Sequence, residues 1–155
     1  MTTPASASTA RVLLVDPDVR FGLLLKGYLE ERGWKAFWVS DGRKALAGWD
    51  EYLPHIVVTE LQGEDLDGFE FLDILVRTAT PPPVVVCTRL KGVQDWSDGV
   101  MRSLGVRRVL ARPVRFPVVA DVLEQVMAEL TATMAAIPAI DEIAAREGLA
   151  PRQPA

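Results

Sequence analysis

The chemistry this sequence offers sits at the ends of its apolar runs, in Asp16, Glu60, Thr88 and Arg112. Asp16 follows "RVLLV", Glu60 follows "IVVT", Thr88 closes "VVVCT" and Arg112 follows "RRVLA". Two carboxylates, a hydroxyl and a permanently charged guanidinium, brought to one place, can hold a cation or an anion, or can pair with each other. Each also has a plain reading. Asp16 and Asp18 suit helix N-caps, Thr88 suits a strand, and most arginines are surface cations. Only a fold that gathers all of them on one edge makes a site.

The runs themselves supply that fold. "RVLLV" (11–15), "KAFWV" (35–39), "IVVT" (56–59), "VVVCT" (84–88) and "RRVLA" (107–111) are short, continuous and rich in β-branched residues, as buried strands are. Between them, apolar residues fall at helical spacing. Phe21, Leu24, Leu25, Tyr28 and Leu29 mark a first helix closed by Gly33; Ala45, Leu46 and Trp49 a second stopped by Pro54; Phe69, Phe71, Leu72 and Leu75 a third. Val93–Leu104 reads as a fourth, capped by Gly105, and a last one starts near Pro117. Alternating strands and helices predict an α/β fold, a doubly wound five-stranded parallel sheet with helices on both faces and a C-terminal helical extension. Such folds bind ligands at the carboxyl ends of their strands, where these side chains lie.

The bulk composition narrows the classes. A chain of 155 residues holds one ordinary domain plus tails, and a net charge of −4 gives no electrostatic reason to bind nucleic acid. The single cysteine, Cys87, lies inside an apolar run and reads as a buried structural thiol. "MTTPASASTA" has no apolar h-region and no run approaches membrane-spanning length, so the expectation is a cytoplasmic protein with no membrane partner.

Across about Arg11 to Met127 the sequence resembles a bacterial response-regulator receiver domain. "LLVDPD" resembles that family's acidic first-strand end, and "PHIVVTELQGEDLDGFEF" its phosphoacceptor strand and loop. "PPVVVCT" resembles its hydroxyl-bearing fourth strand, and "GVRRVLARPV" its Lys-Pro signature. The resemblance implies a flavodoxin-like sheet of order 2-1-3-4-5. It also makes the departures informative. Pro17 stands where the family has a second metal-binding acid, Glu60 where it has the phosphorylated aspartate, Arg112 where it has lysine, and Val109 where it has an aromatic switch residue.

Mg²⁺ asks for short, octahedral oxygen contacts, so Pro17 leaves only a partial site at Asp16, with weak residual binding at most and no dedicated metal or cofactor site. Glu60 carries its carboxylate further from the strand by about 1–1.5 Å, one methylene, enough to spoil in-line phosphoryl transfer. Arginine suits carboxylate pairing better than lysine does. The expectation is therefore a degenerate phosphoacceptor pocket, with an internal Glu60–Arg112 ion pair flanked by Thr88 and Asp16. "GEDLDG" fails a calcium-loop ligand pattern, and Asp67–Gly68 reads instead as a turn opening the third helix. His55, the lone histidine, lies at the other end of its strand with no evident partner.

With catalysis set aside, contacts with other proteins carry the function. The resemblance points to the face of helix four, strand five and helix five, where Trp96, Met101, Arg102, Arg107, Arg108, Val109 and Arg115 fall; a scatter of solvated arginines is the alternative. Val119, Val122, Val126, Leu130, Met134 and Ile137 continue an apolar stripe to Pro138, and a further helical piece is closed by Gly148. That stripe either meets a partner or folds back on its own domain. The chain is thus read as a disordered N-terminus (1–10), a receiver-like domain (11–127), a helical extension (128–149) and a disordered tail (150–155). The functional expectation is a stand-alone atypical or pseudo-receiver: a phosphorylation-independent protein-interaction module in bacterial signalling. Its expected partner-binding residues are Trp96, Arg108, Val109, Leu130 and Met134. A homodimer would form through the helix four, strand five, helix five face or through the C-terminal helices. The alternatives are a working phosphoacceptor switched by a histidine kinase, and a small-ligand sensor.

Overall fold

A computed structural model describes residues 9–63, 67–92, 98–136, 142 and 145–148. The strands are β1 (Arg11–Val15), β2 (Lys35–Val39), β3 (Ile56–Thr59), β4 (Val84–Thr88) and β5 (Val106–Ala111). They form one parallel five-stranded sheet of order β2-β1-β3-β4-β5. The helices are α1 (Val19–Glu31), α2 (Gly42–Ala47), α3 (Trp49–Tyr52), α4 (Gly68–Val76), α5 (Asp98–Ser103) and α6 (Phe116–Ala136).

Side-chain alternation along the buried strands separates two cores. Val12, Leu14, Ile56, Val58, Val85 and Cys87 face α1 and α6, packing on Leu25, Leu29, Val119 and Leu123. Leu13, Val15, Val57, Val84 and Val86 face the other way, onto Ala45, Phe71, Leu72, Leu75 and Met101. A period of two with both faces apolar is what a sheet covered on both sides requires.

Short polar side chains start the helices. Asp18, Asp41 and Asp67 each accept a hydrogen bond from the backbone N–H three residues on, capping α1, α2 and α4. The second helix of the sequence reading is broken at Gly48, giving α2 and α3, and ends at Leu53 in the left-handed region (φ 40) before Pro54. The fourth is described only from Asp98; Val93–Ser97, including Trp96, lie outside the described residues, as do Glu64 and Asp65 of the acidic loop.

Strand β5 carries the feature that aims Arg112. Val84 pairs with Val106 but Val85 with Arg108, so Arg107 is an extra residue in a β-bulge. The bulge shifts the side-chain phase by one. Val106 and Val109, three residues apart, consequently pack on the same core, while Leu110 faces α1 and α6. Arg112, two residues beyond Leu110, therefore turns to the α1 side.

Helix α6 runs to Ala136, ten residues past its last buried residue, Val126. Of the piece after it, Glu142, Ala145 and Arg146 are helical and Gly148 has φ 71. Of the ends read from the sequence as disordered, 1–10 and 150–155, residues 1–8 and 150–155 lie outside the described residues, as does Leu149 at the end of the expected extension. Among the described residues no helix is long and apolar enough to cross a membrane.

Candidate functional site

The parallel sheet brings Asp16, Glu60, Thr88 and Arg112 together at its carboxyl edge, each on or just beyond its strand. Their side chains form one connected network. Glu60 Oε1 accepts hydrogen bonds from the Thr88 hydroxyl, from Leu61 N at 2.6 Å and from Gln62 N at 3.3 Å. Its other oxygen, Oε2, accepts from Arg89 N at 3.0 Å and from Arg112 Nη1 at 3.1 Å. The same Nη1 donates to Asp16 Oδ2 at 2.8 Å, while Asp16 Oδ1 accepts from Asp18 N at 2.8 Å. Both oxygens of both carboxylates are engaged by the chain itself.

The network is dry. Side-chain exposure is 4% for Arg112 and 3% for Glu60. Burial raises the Asp16 pKa above its usual value, opposed by the Asp18 backbone N–H and the Arg112 guanidinium. Charges removed from water persist only when paired and hydrogen-bonded, and the shared guanidinium serves both carboxylates. At the rim Arg89 forms an ion pair with Asp18, whose pKa is lowered mainly by the Phe21 backbone N–H.

Several supporting residues went unmarked as site residues in the sequence. The Arg112 guanidinium carbon lies 3.5 Å from the ring centre of Phe21, a cation–π stack from α1. Trp38 on β2 donates its indole N–H to the Asp16 carbonyl at 3.1 Å. Gly22 makes room for that indole, since a Cβ there would lie 2.1 Å from Trp38 Nε1. Gly68 likewise lets α4 approach the pocket: a Cβ would sit 2.4 Å from Leu61 Cα and 2.6 Å from the Glu60 carbonyl oxygen. Only Gly68 carried a signal, its place in an Asp-Gly turn. The other contacts come from elements distant in sequence.

The donors present do not fit Mg²⁺. A second carboxylate beside Asp16 is replaced by Pro17, both Asp16 oxygens are taken by the protein, and a guanidinium occupies the pocket. Among the described residues no group of three or more His, Cys, Asp or Glu is placed to hold a metal ion.

His55 requires a correction. It has a partner: its Nδ1 accepts the Arg11 backbone N–H at 2.9 Å, tying the starts of β1 and β3 together. Burial and the nearby Arg11 lower its pKa. Cys87 is buried, which pushes its thiol up to about 12.

On the expected docking face, Arg108 is half-buried and paired with Glu129 of α6, and Val109 packs partly buried against the second core. Leu130 is half-buried and Met134 63% exposed on α6. These residues do not converge with the pocket.

Comparison with known proteins places this geometry. The transcriptional regulatory protein TrcR of Mycobacterium tuberculosis is 31% identical over 96 residues, covering 62% of this chain and 37% of that protein. A protein-glutamate methylesterase/protein-glutamine glutaminase of Cereibacter sphaeroides is 30% identical over 115 residues, covering 73% of this chain and 31% of that one. The chain thus spans about a third of the length of these relatives. Among solved structures, the receiver domain of a LuxO-like repressor from Vibrio parahaemolyticus superposes with TM-score 0.74 at 20% identity, covering 85% of this chain and all of that one. The receiver domain of HemR from Leptospira biflexa gives 0.68 at 24% identity, covering 76% of this chain and 94% of that one. Both share the fold. The model of the response regulator receiver domain matches residues 12–124, and the chain belongs to that family of two-component signalling proteins.

Proposed function

We propose that the chain is a pseudo-receiver, a non-catalytic module that works through protein contacts without being phosphorylated. One observation carries the reading: the carboxylate at the phosphoacceptor position is fully engaged by the chain. Glu60 takes five hydrogen bonds, from Thr88, Leu61, Gln62, Arg89 and Arg112. To attack a phosphoryl donor it would have to give up some of these in a pocket without a fitting Mg²⁺ site, and the cation that would neutralise transferred charge is held by Asp16 and Glu60.

The experiment is amide NMR on the full chain with Mg²⁺, then Mg²⁺ and beryllofluoride, alongside mass spectrometry after acetyl phosphate. The expected result is no shift at Glu60, Thr88 or Arg112 and no adduct. Saturable shifts that need both additions and reach Val109 would overturn it in favour of the second reading, a working phosphoacceptor. That alternative draws on Asp16 and Thr88, the two pocket positions at which the sequence keeps the residue type that the resemblance implies.

The module's partner surface on this reading is the α5, β5 and α6 face together with the overhanging end of α6. The domain ends near Met127 and the extension follows it. From Leu130 to Ala136 helix α6 carries no charge, and Thr131 and Thr133 spend their hydroxyls on their own helix, on the Met127 and Glu129 carbonyls at 2.9 Å. An uncharged, exposed helical overhang gains by being covered. A second copy or a signalling protein in the cytoplasm is the proposed cover, and sedimentation of wild type against Met134→Asp tests the homodimer.

A further inference from the structure

Arg112 uses one side of its fork and leaves the other idle. Nη1 serves Asp16 and Glu60, whereas Nη2 is buried with no hydrogen-bond partner, the one such side-chain nitrogen or oxygen among the described residues. The Phe21 ring does not satisfy it. At 3.5 Å from the guanidinium carbon the ring covers the face of the cation, while the N–H donors point within its plane. A buried donor on a charged group without an acceptor is costly and rarely retained.

A cavity of about 350 Å³ adjoins this residue, lined by Phe21, Arg89, Arg112, Pro113, Val114 and Phe116. Its walls are aromatic and aliphatic, with Phe21 and Phe116 edge to face at 5.7 Å. Its charged lining is two guanidinium side chains and no carboxylate. A second cavity, about 280 Å³ at the mouth of the carboxylate pocket, shares Arg89 and Arg112 but is also lined by Asp16, Asp18 and Glu60. Arg89, held by Asp18, thus stands between a mostly acidic mouth and a purely cationic, apolar recess. Small-molecule sites have this second character: an apolar body of a few hundred cubic ångströms with a few placed polar groups.

We propose that the recess binds a small organic carboxylate with an aromatic or branched apolar body. The body lies on Phe21, Phe116, Val114 and Pro113. The carboxylate takes the hydrogen bonds of Arg89, which leaves Asp18 to do so, and of Arg112 Nη2, which is covered in the unliganded chain and is reached only once Arg89 has moved. A cation is disfavoured by the two arginines, and inorganic phosphate would leave the apolar walls unused. The ligand shares Arg112 with the carboxylate pocket but does not touch Glu60, so its binding is read out whether or not Glu60 is ever phosphorylated.

The test is NMR titration of the full chain with phenylacetate, its neutral analogue phenylacetamide, and inorganic phosphate. Saturable shifts at Phe21, Arg89, Val114 and Phe116 are expected with phenylacetate. Phenylacetamide should bind weaker by about tenfold or more, the scale of a charge-assisted hydrogen bond. Arg89→Gln, at an exposed side chain, should weaken phenylacetate several-fold while leaving the thermal midpoint unchanged. No shift with phenylacetate at millimolar concentration would overturn the proposal. So would equal binding of phenylacetamide, equal binding of phosphate at the same residues, or indifference to Arg89→Gln.

Discussion

Glu60 and Arg112, 52 residues apart in the chain, meet at 3.1 Å across the carboxyl edge of the sheet, each almost wholly buried. The contact is charge-assisted, and the same guanidinium nitrogen also holds Asp16. Removing one partner of a buried pair costs far more than the pair is worth, because the other charge is left without compensation. Arg112→Ala is therefore expected to lower stability by about 3–5 kcal/mol in urea unfolding. Adding Glu60→Gln to Arg112→Ala should cost less than Glu60→Gln does alone. Equal costs in the two backgrounds would mean that the two side chains are not coupled.

Thr88 has two duties in the same network. Its hydroxyl donates to Glu60 Oε1 and accepts the Leu90 N–H at 3.0 Å. Thr88→Val keeps the shape and removes both hydrogen bonds, leaving a carboxylate oxygen one donor short and a backbone N–H without this acceptor. A loss of about 1–3 kcal/mol in unfolding free energy is expected, with the amide of Leu90 exchanging faster.

Gly68 tests the close approach of α4 to the pocket. An added methyl would meet the Leu61 backbone at 2.4 Å, and backbone has no rotamer to give. Gly68→Ala should destabilise the fold by about 1–3 kcal/mol and shift the amides of Glu60 and Leu61. Gly27, where a Cβ would meet nothing within 4 Å, is the control: Gly27→Ala on the exposed face of α1 should stabilise slightly.

These tests show how far the sequence speaks. The fold was legible because buried parallel strands write themselves as short β-branched runs, and because aspartates cap the helices visibly. The gathering of Asp16, Glu60, Thr88 and Arg112 followed from the position of each just past its run. What could not be read was the cover of that network. Phe21 looked like one more apolar position on α1, yet its ring face holds Arg112; Trp38 was one residue of the strand run "KAFWV", yet its N–H fixes Asp16. Nor could the Arg107 bulge be seen, since an extra residue leaves no mark in an apolar run that is read only for length. His55 was misread for the same reason: its partner is a backbone N–H 44 residues away.

That histidine gives the pH dependence a definite sign. His55 accepts the Arg11 N–H through Nδ1, which only the neutral ring can do, and burial with the nearby Arg11 lowers its folded pKa below the ordinary 6.5. Between that lowered value and 6.5 the unfolded chain binds more protons, so stability rises with pH across this window. The contribution is fully present above 6.5 and is lost as pH falls through the folded pKa. Asp16 works oppositely and lower down. Its folded pKa is raised from 3.8, so the folded chain holds more protons there, and stability falls as pH rises from 3.8 through the raised value. Urea midpoints of wild type and His55→Gln, measured from acid to neutral pH, separate the two. The difference between the proteins should be constant above 6.5 and shrink on acidification, while the Asp16 trend persists in both. A difference that stays constant across that whole range would mean that His55 does not hold the strand starts through its neutral ring.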